Sequence, residues 1–393
     1  MLSNPSSQDK FMRICLFTDT IGDLNGVSRF IQDMAEQSLL YNHDIQVISS
    51  TAKYCPKAPN IHNFQPSFRF PMPFYGDLDI ALPPTKGIRK KIKELQPDMI
   101  HISTPGAVGY LGLKIAKELN IPFSGTYHTD FPAYIKDNTR SEILKKMTDR
   151  TMAWFYKDFK LIFSRSKEYI DVLKDDIGFN PEMVKIIKPG TNLNKFNPKH
   201  RDNAYWQEHG INENATIALY VGRITKEKNI PFLLDLWKEY VTENSFDSIY
   251  LVLVGEGGLK KDALKLYDYN VRYLGPIVGK ELSKIYASSD FFIFPSLTDT
   301  LGQVVMESQA SGLPVIVSNI GGPQSLVNKD KQSGFVVDAD DKQGWLSAIM
   351  DLHCNTQLKK EMGINAIAEM SKYPIEDSFE GFWKYQKEIY DGS

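Results

Sequence analysis

Short apolar runs alternate with segments of helical periodicity along most of the chain. In the first half, "RICLFTD" (13–19) predicts a buried strand and "GVSRFIQDMAEQSLL" predicts the helix after it. Further strands are predicted at "DIQVISS", "PDMIHIST", "IPFSGTYHT" and "KLIFSRS". Because strands and helices alternate repeatedly, this half predicts a parallel sheet with helices on both faces.

The same pattern restarts after the polar stretch "KPGTNLNKFNPKHRD" (188–202), which predicts a linker. Strands are predicted at "TIALYVG", "SIYLVLVG", "VRYLG", "FFIFPS", "LPVIVS" and "GFVVD". The predicted fold class is therefore α/β, with two Rossmann-like doubly wound domains facing a cleft. Ligands bind at the carboxyl ends of strands in such sheets, so the cleft is the expected site.

Composition narrows the range of functions without naming one. A length of 393 residues favours two domains, and a net charge of −2 indicates no nucleic acid partner. The three cysteines are scattered, which favours a reducing compartment and argues against a zinc site. The polar N-terminus is unlike a secretory signal, and no apolar run approaches the ~20 residues that span a bilayer. We expect a cytoplasmic protein, with peripheral attachment to the inner face of the membrane as a further hypothesis.

The stretch "PSLTDTLGQVVMESQASGLPVIVS" (295–318) holds two acids, Asp299 and Glu307, between two predicted strands. A helix is predicted from about Thr300, which would place Asp299 near its N-cap and Glu307 two turns further. The amides of Leu301, Gly302, Gln303 and Val304 would then be able to hold a diphosphate. The alternatives are a plain capping role for Asp299 and a solvated helix acid for Glu307.

Two other loops follow strands of the second half. "YVGRITKEKN" (220–229) contains Arg223 and Lys228, cations that suit a diphosphate leaving group, although an exposed basic loop is the alternative. Gly255 in "VGEGGLKK" lies beside a ligand or in a structural turn. Lys260 stands where the dinucleotide fingerprint needs glycine, and no Walker loop occurs, which excludes both of those nucleotide sites.

The first half offers fewer candidates. Gly26 follows the first strand and could bring a backbone amide close to a sugar or phosphate, or could belong to a plain loop. His128 follows another strand and could donate a hydrogen bond to a sugar hydroxyl, or move a proton if its pKa is near neutrality. His101 within "DMIHIST" is expected to be a core residue. The acid pairs at 77–79 and 338–340 are interpreted as a loop and a helix cap, so no metal site is predicted.

Taken together, these segments resemble family 4 of the retaining glycosyltransferases, which have the GT-B fold. The paired acids of that family, usually Glu-x7-Glu, occur here as Asp299-x7-Glu307, and its "GR-x4-K" pattern matches at Arg223 and Lys228. The segments "PDMIHISTPGAVGYLGLKIAKELNIPFSGTYHTDFPAY" and "FRFPMPFYGDLDIALP" are similar to a subgroup of lipid-directed mannosyl- and sulfoquinovosyltransferases. The resemblance covers about residues 13–390.

The resemblance implies a role for each candidate. Glu307 would hold the donor ribose, Asp299 the donor sugar, and Arg223 and Lys228 the diphosphate. The segment near Ile277 and Val278 would contact the base of a UDP- or GDP-sugar. Gly26 and His128 would come from the acceptor domain. No cofactor or metal is expected, because the nucleotide sugar is a substrate.

The resemblance also implies an organisation of the chain. Residues 11–190 would form the acceptor domain, residues 191–375 the nucleotide-sugar domain, and residues 376–393 a terminal helix returning to the first domain. The acceptor would be a lipid or a lipid-linked glycan. Alternatives are a sugar-nucleotide epimerase, a phosphorylase, or a non-catalytic binding protein on the same fold.

Two basic segments with aromatic residues suggest a surface for anionic lipid. The first is "TKGIRKKIKELQ" and the second is "RSEILKKMTDRTMAWFYKDFK". The alternative is an ordinary amphipathic helix with one core face and one solvated face.

Overall fold

The computed structural model describes residues 12–392, except 24, 73–74, 129, 166–167 and 245–247. The described residues group into two compact units. The first comprises the chain up to Asp23, Val27–Lys188, and the chain from Ser378 onward. The second comprises Pro189–Asp377 together with the short segment ending at Gly26.

The first unit is built on a seven-stranded sheet. The sheet contains β1 (Arg13–Thr18), β2 (Asp44–Ser49), β3 (Ile61–Asn63), β6 (Met99–Ile102), β7 (Phe123–Tyr127), β8 (Ile162–Ser164) and β9 (Val184–Ile186). Between β3 and β6 in the chain, β4 (Phe68–Met72) and β5 (Tyr75–Leu82) form a separate hairpin. The sheet order is β3-β2-β1-β6-β7-β8-β9, and all of its pairings are parallel. The hairpin pairs antiparallel.

The second unit is built on a six-stranded sheet. Its strands are β10 (Thr216–Val221), β11 (Ile249–Val254), β12 (Val271–Gly275), β13 (Phe291–Phe294), β14 (Val315–Ser318) and β15 (Gly334–Val337). The sheet order is β12-β11-β10-β13-β14-β15, again with parallel pairings. The order reverses direction between β10 and β13, which is the point where doubly wound sheets bind ligands.

Helices connect the strands in both units. They are α1 (Gly26–Leu40), α2 (Thr85–Leu95), α3 (Ala107–Leu119), α4 (Phe131–Thr139), α5 (Glu142–Tyr156), α6 (Glu168–Asp171), α7 (Tyr205–Glu208), α8 (Ile230–Asn244), α9 (Lys260–Leu264), α10 (Gly279–Ser288), α11 (Gln303–Ala310), α12 (Lys342–Cys354), α13 (Thr356–Met370) and α14 (Ile375–Asp391). Short 3₁₀ turns lie at Pro181–Met183, Pro198–His200, Tyr267–Tyr269 and Pro323–Leu326, and a π-helical turn at Val172–Asp176.

Each sheet is the centre of its own apolar core. Strands β1 and β10 are buried at every position after the first, as expected for parallel strands covered on both faces. In the second unit, Trp237 of α8 and Trp345 of α12 are fully buried in the core around β10 and β14. The apolar periodicity that predicted these helices therefore marks the faces that cover the sheets.

The predicted α/β class with two Rossmann-like units is confirmed. The periodicity did not predict the short strands β3 and β9, the hairpin β4–β5, or helix α4. At the start of helix α4, the side chain of Asp130 accepts a hydrogen bond from Ala133 N at 3.1 Å. Asp130 is thus the N-cap of α4, a role that a carboxylate performs well at a helix start.

Candidate functional site

The switch point of the second sheet brings together two loops that carry the predicted cations and one predicted acid. Arg223 and Lys228 lie between β10 and α8, and Asp299 lies between β13 and α11. The Lys228 Nζ atom donates to Asp299 Oδ2 at 2.7 Å, and both side chains are largely covered. The Thr298 hydroxyl reaches the Glu227 carbonyl oxygen at 3.4 Å, which adds a second contact between the loops.

Arg223 is oriented by its own loop. Its guanidinium pairs with Glu227 at 3.0 Å, four residues further along the same loop. The phenol of the buried Tyr220 donates to the Arg223 carbonyl oxygen at 2.9 Å and fixes the backbone where β10 ends. Lys226, in the same loop, is exposed. Two cations and two acids therefore lie at one sheet edge, where a diphosphate would meet both charge and directed donors.

Helix α11 begins at Gln303, not near Thr300 as predicted. Gly302 is its N-cap, with φ of +82°, and Asp299 lies three residues earlier in the loop. Asp299 is therefore not a cap, and the prediction that places it near the N-cap of this helix is wrong. The physical reason is Gly302: its left-handed backbone is incompatible with an α-helix, so the helix starts only after it and Thr300 stays in the loop.

The loop before α11 rests on the turn after β14. Gly322 N donates to the Asp299 carbonyl oxygen at 2.8 Å. A Cβ atom added at Gly322 would lie 2.0 Å from the Thr300 carbonyl oxygen, so only glycine allows this approach. Sequence reasoning did not select this turn, although the glycine pair after a predicted strand was its signal. The close backbone packing fixes the position of Asp299 and the start of α11.

Glu307 lies on the second turn of α11 and is 2% exposed, so it is not a solvated helix acid. The phenol of Tyr286, on α10, donates to Glu307 Oε2 at 3.1 Å. Sequence reasoning did not name Tyr286 as a site residue. Its signal was the apolar face of α10, where Leu282 and Ile285 are buried beside it, because a buried tyrosine needs a partner for its hydroxyl.

The remaining donor-side candidates lie at the same carboxyl edge. Ile277 and the exposed Val278 lie between β12 and α10, with Val278 at the N-cap of that helix. Leu301 and Val304 are half-buried beside Gly302, and the side-chain amide of Gln303 donates to the Gly190 carbonyl oxygen at 3.1 Å. The first backbone N–H groups of α11 have no hydrogen-bond acceptor within the helix, as at every helix start.

Gly255 has a structural reason to be glycine. Its φ is +144°, and an added Cβ atom would lie 1.8 Å from the Gly222 carbonyl oxygen. Gly222 N also donates to the Val254 carbonyl oxygen at 3.0 Å. Of the two interpretations, the structure supports the tight turn. By packing on Gly222, the turn at Gly255 helps to position the loop that carries Arg223.

The candidate His128 lies in the first unit. His128 follows β7, and its Nε2 atom lies 3.0 Å from the Ser103 hydroxyl, after β6. Burial, with a smaller contribution from the charge of Arg165, holds the pKa of His128 well below its usual value. The expectation of a pKa near neutrality is therefore wrong, and the imidazole is neutral near pH 7. A neutral ring still has one donor and one acceptor nitrogen.

Asp19 is a carboxylate at the first sheet's edge that sequence reasoning missed. It accepts hydrogen bonds from Val108 N at 2.8 Å and from the Thr104 hydroxyl at 2.8 Å. Burial raises the pKa of Asp19, and these hydrogen bonds oppose the rise. Asp19 follows β1 in the chain, and its carboxylate accepts from the first amides of α3, so it caps the start of that helix from another element. Gly26, the remaining candidate, is the first residue of α1.

The acid pairs considered for metal binding have other positions. Residues 77–79 lie in strand β5 rather than in an irregular loop, and their side chains lie outside the described residues. The second pair precedes α12, whose N-cap is Asp341, as the helix-cap interpretation predicted. Within the described part of the chain, no group of three or more His, Cys, Asp or Glu side chains could hold a metal ion.

Comparison with known proteins gives matches over both units. The family described as "Glycosyltransferase Family 4" matches residues 24–195, and that described as "Glycosyl transferases group 1" matches residues 202–369. The chain is 30% identical over 340 residues to the alpha-monoglucosyldiacylglycerol synthase of Streptococcus pneumoniae, covering 82% of this chain and 74% of that protein. It is 28% identical over 387 residues to a sulfoquinovosyl transferase of Arabidopsis thaliana, covering 95% and 72%.

Solved structures give the same architecture. HepE of Anabaena, in complex with UDP-glucose, superposes with a TM-score of 0.73 at 18% identity, covering 96% of this chain and 100% of that one. The sucrose-phosphate synthase of Thermosynechococcus elongatus gives 0.74 at 16% identity, covering 97% and 100%. These likenesses establish the GT-B fold, and the sequence relatives establish the family. The chain belongs to the family 4 glycosyltransferases and is a hexosyltransferase.

Proposed function

We propose that this glycosyltransferase moves a hexose from a UDP- or GDP-sugar to a hydroxyl group of a lipid or lipid-linked glycan. The observation that carries the donor part is the switch point of the second sheet, where Lys228 pairs with Asp299 and Arg223 lies in the same loop as Lys228. Glu307 lies on α11, the helix that follows the Asp299 loop. The acceptor part is supported by two relatives whose names include a monoglucosyldiacylglycerol synthase and a sulfoquinovosyl transferase.

The cations are suited to the leaving group. As the bond between the sugar and the diphosphate breaks, negative charge grows on the departing oxygen. Lys228 has three donors, so it can keep its bond to Asp299 and still donate to a phosphate oxygen. Arg223 and the first amides of α11 would share the remaining oxygens. We expect these groups to act without a metal ion.

The acids are suited to the sugar side of the donor. Glu307 would accept hydrogen bonds from the ribose hydroxyls with the carboxylate that Tyr286 holds. Asp299, in the loop ahead of the helix, would accept from hydroxyls of the transferred hexose. His128 would donate to a sugar hydroxyl as a neutral imidazole, and Gly26 would allow a close backbone approach.

The proposed mechanism retains the configuration at the anomeric carbon. The departing diphosphate oxygen takes the proton of the acceptor hydroxyl, and the acceptor oxygen attacks the face that the diphosphate leaves. The anomeric carbon passes through an oxocarbenium-like state, and the products are the glycosylated acceptor and the nucleoside diphosphate.

The variant Glu307→Gln tests the donor site, because it keeps the size of the side chain and removes its charge. We expect thermal stabilisation by UDP- or GDP-sugars in the wild type, and a loss of most of it in the variant. Transfer of a labelled sugar to a lipid extract should fall by about 10- to 100-fold, as when one charged contact is lost. Glu361→Gln, on α13, is the matched control.

Absence of stabilisation by any nucleotide sugar would refute the donor site. Transfer at the wild-type rate in Glu307→Gln would refute the role of that carboxylate. Conversion of one nucleotide sugar into another without transfer would indicate an epimerase instead. Loss of activity in EDTA, restored by Mg²⁺ or Mn²⁺, would contradict the metal-independent mechanism.

A further inference from the structure

Three helices form one continuous outer surface of the first unit, which we call the α2–α3–α5 surface. The connections through these helices all advance along the sheet from β1 toward β8, whereas α1 leads the opposite way to β2. Because parallel crossovers are right-handed, α2, α3 and α5 cover one face of the sheet. Arg89 of α2 pairs with Glu118 of α3 at 2.5 Å, and the Tyr110 ring of α3 stacks on Trp154 of α5 at 6.0 Å.

Helix α5 presents an apolar row to solvent. Ile143 is 73% exposed, Met147 58% and Trp154 49%, at spacings of four and seven residues that place them on one side of the helix. The half-exposed Tyr110 extends the row through its stack on Trp154. Of the three aromatic residues that the sequence suggested for this surface, Phe155 and Tyr156 are buried in the core. The exposed apolar row is therefore separate from the face that packs on the sheet.

A row of cations runs beside the apolar row. Lys146, Arg150 and Lys157 are exposed and lie on one flank of Ile143, Met147 and Trp154 at helical spacing. On α2, Ile88 and Ile92 are buried, and this orientation leaves Lys86, Lys90 and Lys93 exposed on the outer side. Lys145, in contrast, pairs with Asp149 and Asp176 and does not belong to the row.

The acids of this surface are already neutralised by other cations. Glu94 pairs with Lys91, Glu118 with Arg89, Glu142 with Lys136, and Asp158 with Lys117. Among the described residues, Lys146, Arg150 and Lys157 form no such ion pair. The surface therefore carries uncompensated positive charge next to exposed apolar side chains.

We propose that the α2–α3–α5 surface docks on an anionic lipid bilayer, with Ile143, Met147 and Trp154 entering the interface and the cations binding lipid phosphates. Charge complementarity favours this occupant, since an anionic membrane attracts clustered lysines and arginines while tryptophan and tyrosine prefer the boundary between headgroups and acyl chains. The inference deepens the proposed function, and rests on it, because a lipid acceptor must be reached at a membrane.

Vesicle sedimentation with the full chain tests the proposal. We expect binding to vesicles of phosphatidylcholine with phosphatidylglycerol, weak binding to phosphatidylcholine alone, and a fall in binding as NaCl is raised. Lys146→Gln, Arg150→Gln and Lys157→Gln together should weaken binding by about 100-fold, since each basic residue near an anionic surface contributes about fivefold. The matched control replaces three exposed lysines of the second unit, Lys261, Lys329 and Lys360, with glutamine.

A second variant tests the apolar row. Replacing Ile143, Met147 and Trp154 with serine should weaken binding to anionic vesicles and remove any blue shift of tryptophan fluorescence on binding. Absence of vesicle binding by the wild type at low salt would overturn the proposal. Equal weakening of vesicle binding in the control triple variant would overturn it too. A wild-type dimer in sedimentation equilibrium that the serine variant converts to a monomer would also overturn it, because the apolar row would then be a dimer interface.

The outcome is separable from that of the proposed function. Neither surface variant touches Arg223, Lys228, Asp299 or Glu307, so stabilisation by nucleotide sugars should equal that of the wild type. Intact donor binding without vesicle binding would refute the docking surface alone. Vesicle binding without donor binding would refute the proposed transfer and leave the surface standing.

Discussion

The phenol of Tyr286 helps to position the carboxylate of Glu307, and this contact joins α11, which carries the acid, to α10. Both side chains are buried, with Tyr286 0% and Glu307 2% exposed. A hydrogen bond between a phenol and an ionised carboxylate is stronger than one between neutral groups. Tyr286 therefore has a role that its apolar surroundings in the sequence did not indicate, as a positioning residue for the acid proposed to bind ribose.

The variant Tyr286→Phe isolates that role. Loss of the hydroxyl should lower the free energy of unfolding by about 1–3 kcal/mol, because a buried hydrogen bond to a charged group is removed. If Glu307 binds the donor, the KM for the nucleotide sugar should also rise severalfold, with a smaller change in kcat. Urea unfolding and steady-state kinetics measure the two effects.

Tyr240→Phe provides the matched control. Its hydroxyl lies 2.9 Å from His353 Nδ1, in the same unit, between α8 and α12. We expect a similar loss of stability there without a change in KM. A KM that is unchanged in Tyr286→Phe, or changed equally in both variants, would contradict a positioning role.

At the scale of elements, a buried polar network attaches the terminal helix α14 to the first sheet. His101 of β6 contacts the Ser124 hydroxyl through Nδ1 and the Thr126 hydroxyl through Nε2, each at 2.9 Å. Gln386 of α14 completes the network, with 2.8 Å to Ser124 and 3.0 Å to His101. His101 was expected in the core, and it is fully buried. Its hydrogen bonds connect β6, β7 and α14 across a long separation in the chain.

This network predicts a dependence of stability on pH. Burial lowers the pKa of His101 to about 3, and its described hydrogen-bonding partners are uncharged. Because the folded protein disfavours the imidazolium, the stability from this group is complete above the unfolded pKa of about 6.5. Below that value it falls by about 1.4 kcal/mol per pH unit, until the folded pKa is reached.

Urea unfolding between pH 5 and pH 8 measures this slope. His101→Gln should reduce the steepness of the decline below pH 6.5, whatever its effect on stability at pH 8. His128 should contribute a decline of the same sign, because its pKa is also lowered. His200→Gln, in the 3₁₀ turn Pro198–His200 of the second unit, is the control for replacing a histidine outside the network. An identical slope in His101→Gln and the wild type would refute the assignment.

At the scale of the whole molecule, the alternation of strands and helices was sufficient to predict two Rossmann-like units. It was sufficient because buried parallel strands are continuous apolar runs, which the sequence displays directly. The start of α11 was mispredicted because it depends on the left-handed backbone of Gly302 and on the turn at Gly322, which are tertiary features. Likewise the pairing of Lys228 with Asp299 joins residues far apart in sequence, and no local pattern encodes it.

The first unit is discontinuous in sequence, because the residues from Ser378 onward group with it. Phe379 and Phe382 of α14 are buried there, and the Phe382 ring lies 5.0 Å from His101 and 5.3 Å from Phe163. Trp383 stacks on His43 at 4.0 Å. The last helix thus covers one face of the first sheet, so the first unit needs the end of the chain to complete its core.

Removal of residues 378–393 should therefore destabilise the first unit more than the second. Hydrogen exchange should show lost protection in β1, β6 and β7, while β10, β11 and β13 keep theirs, because the second core contains no residue of the deleted segment. Phe382→Ala makes the same test in a full-length chain, with an expected cost of about 3–5 kcal/mol. Glu380→Ala, at an exposed position of the same helix, is the control. Equal loss of protection in both sheets would show that the units unfold together and that the terminal helix has no selective role.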